Sequence, residues 1–230
     1  MLIGGAGYII NDVFDYPIDC INRPERPLPS GRMTPRFAWF YGMFLFTLGI
    51  GLSWMTGSLA SVGVAMLNSL LLFYYARRFK MATLSGNFIV ALLAFTPFLY
   101  GGLVTGNTRH GAILGLFAAF LTLIRELVKD LEDVDGDRQL GGRTLAVIAG
   151  SRGVARMAGF ALLAFTLLVV QATRYTVFSP IAGAILIAVT VIPLSIGLLR
   201  LSSTSHRGLS RFSLLLKLEM LLALGVVLLG

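Results

Sequence analysis

Ten of the eleven carboxylates in the chain fall into two short clusters: Asp12, Asp15, Asp19 and Glu25, then Glu126, Asp130, Glu132, Asp133, Asp135 and Asp137. Only Glu219 stands apart. Three aspartates in each cluster follow the spacing D-x-x-D-x-x-x-D, the second set beginning 118 residues after the first. On a helix, offsets of 3 and 7 share a face, so each triplet presents a stripe of carboxylates. Asn11 adds an amide oxygen one turn before Asp15, and Glu126 extends the second stripe one turn back. Pro17 and Gly136 shortly precede the last aspartate of each triplet and are expected to unwind the backbone at Asp19 and Asp137.

Carboxylates this crowded repel one another unless cations intervene. Mg²⁺ suits such a site, because it takes oxygen from a few carboxylates and keeps water or phosphate oxygens for the rest of its shell. Two acidic motifs holding Mg²⁺ around a diphosphate is the most economical reading. Solvated helix ends, or the acidic vestibule of a transporter or channel, remain open alternatives. A CDP-alcohol phosphotransferase also uses aspartates and Mg²⁺, but its D-x-x-D-G-x-x-A-R signature is absent. Arg125 and Lys129 flank the second stripe one turn apart, where their charge suits phosphate oxygens. The stretch "RPERPLPSG" is too rich in Pro and Gly for a helix, which puts Arg23 and Arg32 on a loop suited to a lid.

The elements that must carry these residues are set by composition. Of 230 residues, 56% are apolar and only 13% charged, with 26 glycines, far from the charge content of a soluble domain. Continuous apolar runs predict helices near 2–16, 37–55, 59–76, 87–105, 111–131, 153–172, 178–199 and 211–229, an all-α membrane bundle of eight transmembrane spans. The runs are too long and unbroken for the alternating strands of a porin-like barrel. With one cysteine, Cys20, and two histidines in separate connections, neither an intrachain disulfide nor a Cys/His zinc site is available.

The net charge of +8 does not indicate nucleic acid, because of where it sits. If sides alternate at each helix, sixteen of the nineteen Lys and Arg residues fall on the side that follows Asp19. That bias marks the cytoplasmic face, so the acidic motifs are expected there. Lys217 lies inside the last apolar run and is expected to snorkel toward that face, with Glu219 pointing elsewhere. Met1 then begins on the far side without a signal peptide, so a further N-terminal helix is expected beyond this sequence. The repeat of about four helices predicts two similar halves around a central cavity, in a single domain over 1–230.

The strings "NDVFDYPIDCINRPERPLPSGRMTP" (11–35) and "RELVKDLEDVDGDRQLGGRTLAVIAG" (125–150) resemble the two aspartate-rich motifs of the UbiA-type intramembrane prenyltransferases. That resemblance spans essentially the whole chain. It implies nine helices, the first missing here, and Mg²⁺ held by Asn11, Asp12, Asp15, Asp19, Asp130, Asp133 and Asp137. It also implies an isoprenyl diphosphate and a second substrate as partners, membrane lipid as surroundings, and no obligate protein partner. Tyr75 and Lys80, in "YYARRFK", resemble the family's Tyr-x4-Lys element, which would place Lys80 on diphosphate. Within the superfamily, "RELVKDLEDVDGD" is most similar to the pattern of the digeranylgeranylglyceryl phosphate synthases. The implied reaction moves a geranylgeranyl group from its diphosphate to the hydroxyl of geranylgeranylglyceryl phosphate, forming the second ether bond of archaeal-type lipids. The resemblance implies Asp15, Asp133, Lys129 and Glu126 as the catalytic residues, Glu126 as a candidate base for the acceptor hydroxyl. Enzymes of the same superfamily with aromatic or chlorophyllide-like acceptors are the sister reading.

Overall fold

The computed structural model of the chain describes residues 1–79, 84–139, 141–175, 177, 179–201 and 206–229. The elements among them are helical: α1 (Leu2–Asn22), α2 (Pro35–Trp54), α3 (Leu59–Tyr74), α4 (Ser85–Val104), α5 (Thr108–Glu132), α6 (Val134–Gln139), α7 (Leu145–Arg174), α8 (Pro180–Leu186), α9 (Ile192–Arg200) and α10 (His206–Leu229). A π-helical turn, Tyr75–Phe79, continues α3, and another, Ile187–Val191, joins α8 to α9. Local chemistry sets the starts. Thr34 and Ser58 each accept a hydrogen bond from the backbone N–H three residues on, as does Ser179 ahead of α8, and Pro35 and Pro180 occupy first-turn positions that need no donor.

Two prolines lie where a water-soluble helix would break. In α4, Pro97 cannot donate to the Leu93 carbonyl, and the Thr96 hydroxyl donates to that oxygen instead at 3.3 Å. Ahead of Pro193 the backbone widens, so that the Ile192 N–H bonds Ile187, five residues back. Gly150, at φ +60°, breaks the helical geometry inside α7, a conformation that residues with a Cβ avoid.

Six helical stretches among the described residues are long and apolar enough to cross a membrane: Pro35–Trp54, Leu59–Arg77, Ser85–Val104, Thr108–Glu132, Leu145–Arg174 and Pro180–Arg200. The two further spans expected from sequence correspond to α1 and α10. α1 carries three aspartates, and the described part of α10 carries Arg211, Lys217 and Glu219, so neither reaches the same apolarity.

The chain forms two compact units. The first comprises Met1–Lys80 with Tyr100–Asn107. Here α1 packs on α2 and α3 through glycines: a Cβ on Gly42 would lie 2.9 Å from the Ile10 side chain, and one on Gly7 would lie 2.8 Å from Leu72. In lipid, helices associate through such close van der Waals contact rather than by hydrophobic expulsion. Phe14, Trp39 and Phe73 meet edge to face with centroids 5.8–6.0 Å apart, closing this core beside the acidic end of α1. The Tyr100 hydroxyl donates to Ser53 at 3.3 Å.

The second unit comprises Met81–Leu99 and Thr108–Gly230. Its core lies between α5 and α7, where Ile124, Leu127, Val128, Val154 and Phe165 are fully enclosed. Phe117 and Phe165 pack with centroids 5.2 Å apart. Gly115 lets α4 approach so closely that an added Cβ would lie 2.7 Å from the Phe95 carbonyl oxygen.

Candidate metal and diphosphate site

The first acidic motif lies on unbroken helix. α1 continues through Pro17 to Asn22, which corrects the expectation that Asp19 sits on unwound backbone: the Asp19 carbonyl still accepts from Arg23 N–H at 2.9 Å. The Asn11 amide donates to Asp15 Oδ2 at 2.8 Å, fixing that carboxylate one turn away. The chain after α1 then folds back. Arg26 Nη1 donates to Asp19 Oδ2 at 2.7 Å and to Asp12 Oδ1 at 3.3 Å, so one guanidinium bridges the first and last aspartates of the triplet. Asp19 is 5% exposed, and a carboxylate so enclosed needs such a partner.

Arg26 was not among the candidates drawn from sequence. Its only signal there was a cation within ten residues of a crowded acidic stripe. Of the two arginines that were, Arg23 is exposed, and Arg32 staples its own loop. Its guanidinium donates to the Glu25 carbonyl and to Ser30 Oγ, the latter at 3.0 Å. Gly31, at φ +75°, closes that turn, with Leu28 buried beneath it. The loop is therefore a shaped element with its own hydrogen bonds.

Tyr75, at the end of α3, is half-buried, and its π-helical turn packs against α1. Lys80 lies outside the described residues.

The second motif is built differently. α5 ends at Glu132, Asp133 sits on a bend, and α6 resumes at Val134 with Gly136 inside it. Asp137 therefore lies on a short helix rather than on unwound chain. The i to i−4 pattern is kept across the bend, since Asp133 N–H donates to Lys129 at 3.1 Å and Asp137 N–H to Asp133 at 2.9 Å. Asp130, Asp133 and Asp137 thus keep the helical spacing expected of them. Asp130 is half-buried and accepts from the Asn87 amide, across in α4, at 3.0 Å. Asn87 is 6% exposed and was missed from sequence; a lone amide inside the apolar run "SGNFIVALLAF" was the available signal. Asp133 is exposed. At Asp137, outside the apolar spans, burial pushes the carboxyl above its usual range and repulsion from Asp133 adds to this, while Lys129 opposes it.

Glu126 is buried, and both its oxygens are engaged, one by Arg125 and the other by Lys129 Nζ at 3.8 Å. Among the described residues, no three His, Cys, Asp or Glu side chains group tightly enough to hold an ion alone. Mg²⁺ commonly binds through one or two carboxylates plus substrate phosphates. The pairs Asn11–Asp15 and Asn87–Asp130, each a carboxylate oriented by an amide, fit that mode.

The second unit also holds a cavity of about 590 Å³ between α4, α5 and α10, lined mostly by apolar side chains such as Phe98, Phe117 and Leu121. Its charged lining residues are Arg125 and Lys217.

Residues 1–222 match the family model described as the UbiA prenyltransferase family. Among curated proteins, the chain is similar to the digeranylgeranylglyceryl phosphate synthase of Methanothermobacter thermautotrophicus, with 37% identity over 95% of this chain and 77% of that one. The protein of the same name from Methanosphaera stadtmanae is 35% identical over 95% of this chain and 80% of its own. Among solved structures, one described as digeranylgeranylglyceryl phosphate synthase in membranes superposes with a TM-score of 0.88 at 32% identity, covering 100% of this chain and 81% of that one. An apo UbiA homolog from Aeropyrum pernix K1 shares the fold alone, with a TM-score of 0.70 at 14% identity over 99% of this chain and 82% of that one.

Proposed function

The chain belongs to the UbiA prenyltransferase family, a family of multi-pass membrane enzymes, and from that premise we propose that it transfers a geranylgeranyl group from geranylgeranyl diphosphate to the hydroxyl of geranylgeranylglyceryl phosphate. The observation that carries this reading is the shared name of the relatives, whose 35–37% identity extends over 95% of the chain. The products are the diether phosphate, diphosphate and the proton lost by the acceptor hydroxyl.

Asp15 and Asp133, with Asn11, Asp12, Asp19, Asp130 and Asp137, would hold Mg²⁺ with the diphosphate. The bound ion would neutralise the charge that builds on the leaving group as the allylic C–O bond ionises. Lys129 and Lys80 would add positive charge for the same oxygens, and Tyr75 belongs with Lys80 to the Tyr-x4-Lys element. Glu126 has both oxygens in ion pairs, so we assign it the task of holding Arg125 and Lys129 in place in preference to that of a base. The Arg32-stapled loop, which also carries Arg23, would cover the headgroups. The apolar lining of the cavity keeps water from the allylic cation and receives prenyl chain.

The cation bias supports placing both motifs on the cytoplasmic side, and the repeated aspartate spacing supports two related halves serving one substrate cavity within a single domain. The test is an acceptor panel with purified protein in lipid nanodiscs, labelled geranylgeranyl diphosphate and Mg²⁺. Diether phosphate should form with geranylgeranylglyceryl phosphate and not with aromatic acids or a chlorophyllide. Product with one of those acceptors alone would move the chain to a sister activity. Solute flux without any product would move it out of the enzyme class.

A further inference from the structure

Lys217 stands on α10, eleven residues from the helix start, or about 16 Å at 1.5 Å per residue. An ammonium at that depth in a largely apolar helix is costly unless it serves a polar group or a wet cavity. Lys217 is exposed, and it lines the cavity together with Met220 and Leu221, its neighbours at i+3 and i+4. Arg125 lines the same space from α5, one turn beyond Thr122. The charge on Arg125 is largely answered by Glu126. Among the described residues no acid pairs with Lys217, and Glu219, two positions on, is buried on another face of α10. The largely apolar cavity therefore carries one accessible ammonium, that of Lys217, which is exposed.

The acidic stripes lie elsewhere on these elements: Asp130 is five residues further along α5, about 7.5 Å toward the cluster. A diphosphate can be met there by metal-bearing carboxylates. A phosphate monoester on a prenyl chain has different needs. It has no leaving group to activate and is best met by cations alone, with apolar surface for its tail.

We infer that Lys217 and Arg125 together form the recognition site for the phosphate of a prenylated glycerol phosphate acceptor, with Lys217 the residue that selects phosphorylated over neutral lipid alcohols. This rests on the reaction proposed above for the source of the ligand, and on the cavity lining for its chemistry.

Equilibrium binding in nanodiscs without Mg²⁺ isolates this inference from turnover. Geranylgeranylglyceryl phosphate, its dephosphorylated alcohol and free glycerol phosphate serve as probes, against wild type, Lys217→Met and Lys217→Arg. Wild type should prefer the phosphorylated lipid by at least about tenfold over the alcohol, the effect of one charge-assisted contact. That preference should vanish in Lys217→Met and return in Lys217→Arg. In turnover, Lys217→Met should raise KM for the acceptor by a similar factor and leave KM for geranylgeranyl diphosphate unchanged. An unchanged preference in Lys217→Met overturns the inference, as does free glycerol phosphate binding as tightly as the lipid. Failure of wild type to form diether phosphate, with the binding preference intact, would sink the parent reaction and leave this site standing.

Discussion

The two acidic motifs share one spacing and differ in how their charge is answered. The first lies on continuous helix, and Arg26 from the following loop clamps Asp12 and Asp19. The second runs over a helix break, and among the described residues no cation forms a salt bridge with Asp130, Asp133 or Asp137; the nearby Arg125 and Lys129 reach Glu126 instead. The Asn87 amide orients Asp130 without neutralising it. The lesson is that the same string of aspartates can be a satisfied structural network or a site with charge to spare. If the motifs hold metal as proposed, a cation arriving with diphosphate would favour the second motif on electrostatic grounds, whereas at the first it would have to compete with a guanidinium already in place.

The sharpest way to break this comparison is to remove one carboxylate from each side. Asp133→Ala and Asp15→Ala should each lower turnover by about 10³-fold or more, the scale of lost transition-state charge stabilisation, while the protein stays folded in detergent by size exclusion. Wild type should bind Mn²⁺ weakly without substrate, read by electron paramagnetic resonance, and of the two variants only Asp133→Ala should abolish that binding. Next in size, Asn87→Ala frees Asp130 to rotate, and should raise the Mg²⁺ concentration for half-maximal rate by about 10- to 100-fold, the usual cost of losing a group that orients a metal ligand. The smallest effect has the opposite sign. Arg26→Gln removes the internal competitor and should leave the first motif binding Mn²⁺ more tightly, by a few-fold, at some loss of thermal stability as Asp19 is left enclosed without its charge partner. A weaker Mn²⁺ affinity in Arg26→Gln would show that the guanidinium assists the metal rather than competing with it.

Much of this site was legible beforehand because its signals are local. Acidic residues are so scarce in the chain that their clustering stood out, and apolar runs located the helices that carry them. What escaped was tertiary. Asn87 meets Asp130 across 43 residues, and Arg26 was one of several loop cations until the fold laid it on α1. Pro17 was given too much weight as a helix breaker, because tertiary packing of α1 on α2 and α3 outweighs one missing hydrogen bond. That Lys217 borders a cavity was not legible, because sequence periodicity does not say which face of α10 lines one.

The central proposal is that both motifs serve one metal–diphosphate complex. It is tested most directly by titrating Mn²⁺ into nanodisc-embedded protein with an unreactive thio analogue of geranylgeranyl diphosphate. Wild type should bind metal and analogue cooperatively, and that cooperativity should disappear in Asp15→Ala and in Asp133→Ala separately. Full cooperativity in either variant would contradict a shared site.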